Sequence, residues 1–189
     1  GFGSIIIFLI IGIIMTIIVQ SSSAAMGITI ILAVNGWINF EIAAAIVLGE
    51  NIGTTITAWL ASIGTTLSAR RAARAHLIFN VAGTCWMLIL FYPFVSMVDS
   101  IMEGSIYLEN VTSTELESHF DKYEDQYDPS PEEIATAKKS IVDTNIPLHL
   151  SLFHTMFNLC NIALLIGFSP RIAKLVERLV KDTGKSESI

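Results

Sequence analysis

Apolar positions come in long runs, broken at a few dense polar points. Residues 2–19 carry no charged side chain. Their length is close to the roughly 20 residues that cross a hydrocarbon core, so they read as a spanning helix. The run stops at Gln20-Ser21-Ser22-Ser23. Four adjacent polar side chains at that depth must face protein or water. Apolar sequence resumes over 24–34 and closes on Asn35-Gly36-Trp37, a turn signal with an interfacial aromatic. This stretch is too short to span, and the pattern predicts a re-entrant hairpin arm.

A second interrupted unit follows. Residues 42–48 are apolar, Gly49-Glu50-Asn51-Ile52-Gly53-Thr54-Thr55 interrupts them, and 56–67 continues. The two glycines predict a locally unwound backbone, which membrane interiors accept where it lines a cavity or is buried in protein. Arg70, Arg71 and Arg74 then mark an interface, and 75–98 reads as a span carrying His76, Asn80 and Pro93. Residues 99–146 form a polar insertion. It has a turn signal at Asp128-Pro129-Ser130-Pro131 and a helix-like stretch over 131–142 that Ser130 would cap. Residues 147–168 are the final span, with His149, His154, Asn158 and Asn161. Residues 169–189 form a basic amphipathic tail, with Ile172, Leu175, Val176 and Leu179 on one face. The expected fold is an all-α membrane protein: a transporter-like repeat over 1–98 with a re-entrant hairpin and broken helices, the insertion, the last transmembrane helix and the tail.

Composition supports a membrane class. Hydrophobic residues make up 52% of the 189 and charged residues 15%, against about 25% charged in soluble domains. The net charge of −6 is uneven: 99–143 holds twelve acidic residues against Lys122, Lys138 and Lys139, leaving the rest of the chain at +3. Arg70, Arg71 and Arg74 are separated by two spans from Arg171, Lys174, Arg178 and Lys181. Both clusters therefore fall on one side, cytoplasmic by the positive-inside rule, and the acidic insertion faces outward from the cell (inner) membrane. No basic, aromatic-interleaved surface suggests nucleic acid. Cys85 and Cys160 sit in apolar runs and read as buried free thiols. The chain opens Gly-Phe-Gly without a charged leader region, so a signal peptide is not expected and the sequence reads as a piece of a longer polypeptide.

The polar breaks carry the chemistry. Hydroxyl and carbonyl oxygens suit a hard cation such as sodium. Hydroxyls, amide N–H groups and open helix N-termini suit an oxyanion such as phosphate. Isolated serines in membrane helices usually pack and bond to their own backbone, but two dense clusters beside backbone breakers favour a site. Glu50 is open to three readings: sodium ligand, pH-sensitive group, or partner of a distant basic residue. His76-x-x-Phe79-Asn80 and His154-x-x-Phe157-Asn158 each place His and Asn on one helix face. Interhelical hydrogen bonding is favoured there over a transition-metal site, since carboxylate and cysteine partners are not nearby.

Gln20-Ser21-Ser22-Ser23, then Gly49-x-Asn51-Ile52-Gly53-Thr54-Thr55, then His76-x-x-Phe79-Asn80, in this order, resembles the type II sodium/phosphate cotransporters and their bacterial relatives. The resemblance runs over about 2–94 and extends to 168 through the second His-x-x-Phe-Asn. It implies sodium-coupled phosphate uptake by a fold of two inverted repeats, this chain being the second. It implies that Gln20, Ser21, Ser22 and Ser23 bind phosphate, and that Gln20, Ser22, Ser23, Asn51, Thr54, Thr55 and Thr57 bind sodium, with no cofactor beyond that coupling ion. The partners implied are phosphate, sodium, the bilayer, and the first repeat or a second copy of this one. A PhoU-like helical domain after the basic tail is also implied. Glu50 and Ile56 depart from the vertebrate pattern, which leaves ion stoichiometry and pH response open. The alternatives are a carrier of another oxyanion, a non-transporting sensor subunit, and an intramembrane hydrolase with a serine nucleophile and His76 or His154 as base.

Overall fold

The computed structural model describes residues 1–120 and 129–182. Asp128 of the expected turn, Lys122 and the tail beyond 182 lie outside the described residues. Among those described, the chain forms α-helices with short 3-10 turns and no strand. Four helices are long and apolar enough to cross a membrane.

The first three helices pack as a unit. α1 (Phe2–Val19) ends because Gln20 adopts a left-handed conformation, φ 55°, with its N–H on Thr16 O. A non-glycine residue there costs about 1–2 kcal/mol. Ser21 is extended (φ −146°) and caps α2 (Ser22–Val34) by accepting from Ala24 N at 3.3 Å. One left-handed and one extended residue reverse the chain, so α1 and α2 form a helical hairpin with the serines at its tip. A turn through Gly36 (φ 71°) then leads to Asn39, whose side chain caps α3 (Phe40–Ala61) by accepting from Ile42 N at 2.9 Å.

Contacts fix the directions. Leu9 and Ile13 lie on Gly49 and Thr16 lies on Gly53, so α1 runs parallel to α3. Thr29 bonds to Glu50, and Ser22 and Ser23 share a cavity with Asn51 and Thr54, so α2 runs antiparallel to it. The break expected at Gly49–Thr55 is absent: α3 is one continuous helix of 22 residues. Its glycines serve close approach instead. A Cβ on Gly49 would fall on Leu9 O and Ile13 N, one on Gly53 on Thr16 and Ile13 O, and one on Gly12 on the Ile46 backbone. Gly49-x-x-x-Gly53 is the small-residue spacing that lets two membrane helices touch backbone to backbone.

Two further boundaries differ from the sequence reading. The span expected over 75–98 is two helices, α4 (Leu67–Ile89) and α5 (Phe91–Ile101), parted at Leu90. Pro93 explains the break, since it lacks an N–H and its ring would meet the Ile89 carbonyl one turn back. Conversely, the insertion helix and the final span are one helix, α7 (Pro131–Leu165), running straight through Pro147. Its polar N-terminal half starts from a capping box between Ser130 and Glu133.

α7 packs on α4 and α5 through an aromatic core: Phe153 lies edge-on to Phe91 and Phe94, and Trp86 lies on Phe157. Trp86 Nε1 donates to Asn161 Oδ1 at 3.2 Å. Cys85 is exposed rather than buried, and both thiols are free. α8 (Ser169–Leu179) returns to the start of α4, where Arg71 Nε donates to Val180 O at 3.2 Å, so the two basic clusters meet at one end of the bundle. At the other end, Tyr107 donates to Glu41 at 2.9 Å, holding the insertion on the first turn of α3.

The insertion is itself organised around Glu115 on α6 (Ser113–Phe120). Its carboxylate accepts from the amides and hydroxyls of Ser105 and Thr112. Partial burial pushes its pKa up, but those four bonds outweigh it and hold the group below its ordinary 4.5. A carboxyl depressed by folding stabilises the fold fully above about 4.5 and loses that contribution as pH falls through the lowered value. Amide exchange at Ser105 and Thr112, corrected for the intrinsic effect of pH, is therefore expected to stay slow from neutral pH to about 4.5 and to quicken below it. Glu115→Gln should show the faster exchange already at pH 7.

Candidate functional site

Glu50 and Asn51 occupy the midpoint of α3, and the α1–α2 tip reaches to just past that level. Around them lies a cavity of about 470 Å³, within the range of roughly 300–1,000 Å³ usual for small-ligand sites. Ser22 and Ser23 close it on the α2 side, Glu50, Asn51 and Thr54 on the α3 side, His76 and Asn80 on α4, and His154 and Asn158 on α7. The α3, α4 and α7 residues lie near the middle of their apolar helix segments, and Ser22 and Ser23 at the start of α2 meet them in one polar cavity.

The hairpin tip supplies hydrogen-bond donors. Ser22 and Ser23 are the first two residues of α2, and their backbone N–H groups have no helical acceptor. Neither hydroxyl is engaged within the described residues. Thr54 Oγ1 donates to Glu50 O at 2.8 Å, which fixes its rotamer and leaves its lone pairs free. Glu50 is 3% exposed, and its Oε1 accepts from Thr29 Oγ1 at 2.7 Å. Asn51 Nδ2 donates to Val47 O, which turns Oδ1 toward His154 Nε2 at 3.1 Å.

Not every expected residue joins this cavity. Gln20 and Thr57 line a neighbouring one of about 540 Å³, with Thr54 between the two. Thr55 is buried, 1% exposed, and bonds to Ile52 O at 2.7 Å. Ser21 uses its side chain as the α2 cap. The histidines, expected on packing helices apart from the serines, line the same cavity as Ser22 and Ser23. Interhelical hydrogen bonding appears at His154, which meets Asn51, and at the Phe79 carbonyl, which accepts from Asn161 Nδ2 at 3.5 Å; Asn80 and Asn158 bond to their own helices. Thr29 escaped the sequence reading, although it lies seven residues beyond Ser22 on α2, two helical turns along the same face. Among the described residues no group of three His, Cys, Asp or Glu is placed to hold a metal ion.

The Na+/Pi-cotransporter family profile matches residues 4–103, more than half of the chain, and the chain belongs to that family. It is 38% identical over 95 residues to Uncharacterized protein YqeW of Bacillus subtilis (strain 168), an alignment covering 50% of this chain and 30% of that protein. It is 32% identical over 99 residues to the Putative inorganic phosphate export protein YjbB of Salmonella typhimurium, covering 52% and 18%. It is 43% identical over 83 residues to Sodium-dependent phosphate transport protein 2B of Rattus norvegicus, covering 42% and 11%. The chain thus spans less than a third of each relative's length. No solved structure matches it. α7, which brings His154 and Asn158 to the cavity, lies beyond the matched segment.

Proposed function

We propose that this chain is one repeat of a sodium-coupled phosphate symporter and that the mid-depth cavity is its half of the transport site. The observation that carries this reading is the opening of the α2 N-terminus, with Ser22 and Ser23, onto a cavity whose opposite walls present Glu50, Asn51 and Thr54. Free N–H groups, two hydroxyls and the positive end of a 13-residue helix make a pole that attracts an oxyanion. Thr54 and Gln20 at the α1–α2 tip, with Thr57 beside them, give a hard cation its oxygen ligands. The α1–α2 hairpin is then re-entrant, and alternating access moves it against a second repeat. The end bearing Arg70, Arg71, Arg74 and α8 is cytoplasmic and the Glu115 region outside. Relatives named for export and for sodium-dependent transport are both consistent with one site, since the gradients set the direction of a symporter.

The hydrolase alternative requires a serine hydroxyl on a histidine nitrogen. His154 Nε2 is engaged by Asn51, and no hydrogen bond joins Ser22 or Ser23 to either histidine within the described residues. Radiolabelled phosphate uptake by the full-length protein in proteoliposomes tests the symporter. Uptake is expected to require an inward sodium gradient. Ser22→Ala should weaken phosphate affinity and Asn51→Ala should disturb sodium activation, each by roughly tenfold or more, the value of a hydrogen bond to a charged group. Uptake indifferent to sodium and to both substitutions would reject the reading.

A further inference from the structure

Three hydrogen-bond acceptors line the cavity on α3, α4 and α7. Asn80 Nδ2 donates to His76 O at 3.1 Å and Asn158 Nδ2 to His154 O at 2.8 Å. A backbone carbonyl can only accept, so the amide nitrogen must face it, and the orientation of each side chain is fixed. Each Oδ1 is left without a donor among the described residues, on a side chain that lines the cavity. Asn51 differs, because its Oδ1 already accepts from His154. Glu50 contributes a third acceptor: Thr29 engages one of its oxygens, and among the described residues nothing donates to the other. Among the described residues no lysine or arginine lines the cavity.

Three acceptor groups thus converge from three helices, two of them in almost fully buried residues: Asn80 at 5% and Glu50 at 3% exposed. These three oxygens repel an oxyanion, whose oxygens also only accept. It suits a hard monovalent cation, which binds amide and carboxylate oxygens in place of its water. We propose that Asn80 Oδ1, Asn158 Oδ1 and the Glu50 carboxylate form a sodium subsite facing the donor pole at the α2 N-terminus. The paired His-x-x-Phe-Asn motifs then have one purpose: each histidine's backbone carbonyl turns the asparagine so that its oxygen points inward. Cation and anion, held at opposite poles of one cavity, each lower the charge the other must face, which is a direct physical basis for coupling. The transport role of this subsite rests on the symporter reading; cation binding itself does not.

The test is ²²Na⁺ binding to the purified full-length protein without phosphate, beside phosphate uptake. Asn80→Ala and Asn158→Ala are each expected to weaken sodium binding about tenfold or more. Asn80→Asp and Asn158→Asp keep an oxygen toward the cavity and add charge, so both should bind sodium at least as tightly as wild type. A purely structural asparagine would be damaged as much by Asp as by Ala, since both lose the Nδ2 bond. The Asp variants also keep the test decisive where an Ala variant yields no folded protein. Unchanged sodium binding in the Ala variants, or sodium binding lost in the Asp variants, would overturn the subsite. Sodium binding that follows the expected order, in a protein that takes up no phosphate, would uphold the subsite and reject the symporter.

Discussion

Gly49→Val is expected to prevent the full-length protein from accumulating as a monodisperse, folded species. At this position α1 and α3 touch backbone to backbone, and a new Cβ would meet Leu9 O and Ile13 N. Neither atom is the far end of a flexible side chain, so relief requires moving a whole helix. Overpacking of a well-filled core costs about 1–3 kcal/mol, and sites that cannot adjust cost more. Gly49→Ala separates this from helix propensity. In an open helical position the alanine gains up to about 1 kcal/mol, and Gly27 on α2, with nothing within 4 Å of its would-be Cβ, should show that gain. At Gly49 the sign should reverse. Thermal unfolding in detergent of the two alanine variants reads both signs in one experiment. A stabilising Gly49→Ala would mean that α1 does not lie where its contacts place it.

The same glycines show where sequence reasoning reached and where it stopped. Hydropathy located the apolar helices because membrane spans are set by length and polarity, which are local properties. Gly49 and Gly53 were read as unwinding because glycine lowers helix propensity. In lipid the competing use of glycine is close packing, and the four-residue spacing of Gly49 and Gly53, echoed by Gly12 and Thr16 on α1, was the legible signal for it. Pro93 and Pro147 make a similar contrast. Both sit in apolar runs, yet one parts α4 from α5 and the other lies inside an unbroken α7. A capped start does not separate them, since Thr66 caps α4 as Ser130 caps α7.

At the site, the tip serines and the Glu50–Thr54 segment were legible as polar groups at apolar depth. Their meeting in one cavity was not, because it depends on α2 folding back along α3. Thr55 was named for its chemistry and proves to face the packed interior, one residue and about 100° of helix from Thr54. His76, Asn80, His154 and Asn158 form a repeated pattern whose spacing alone favours helix packing. Only tertiary placement shows that both copies face the serines, with α7 bringing the second from more than seventy residues away in sequence.

Glu50→Gln is expected to make the protein less active and, in sodium-free buffer, no less stable. A carboxylate at the centre of a bilayer costs about 2.5–3.5 kcal/mol on insertion scales, and among the described residues no lysine or arginine lines the cavity to offset it. Glutamine keeps the shape and, through Oε1, the acceptor for Thr29 while removing the charge, and replacing a buried, unpaired charge by a neutral group of similar size is neutral or stabilising. What should disappear is the response to sodium. A ligand that binds only the folded state at a hundred times its Kd stabilises by about 2.7 kcal/mol, so wild type should melt higher as sodium rises and Glu50→Gln should barely respond. Glu50→Ala is different again. It removes the buried side chain and its bond from Thr29, whose hydroxyl falls back on Ala25 O at 3.2 Å. A hydrogen bond to a charged group is worth about 1.5–3 kcal/mol, so Glu50→Ala should melt lower than Glu50→Gln with and without sodium. Melting curves against sodium concentration for the three proteins therefore separate a cation ligand from a packing residue. A Glu50→Gln protein that keeps the full sodium response would remove the carboxylate from the subsite and leave Asn80 and Asn158 to hold the ion without it.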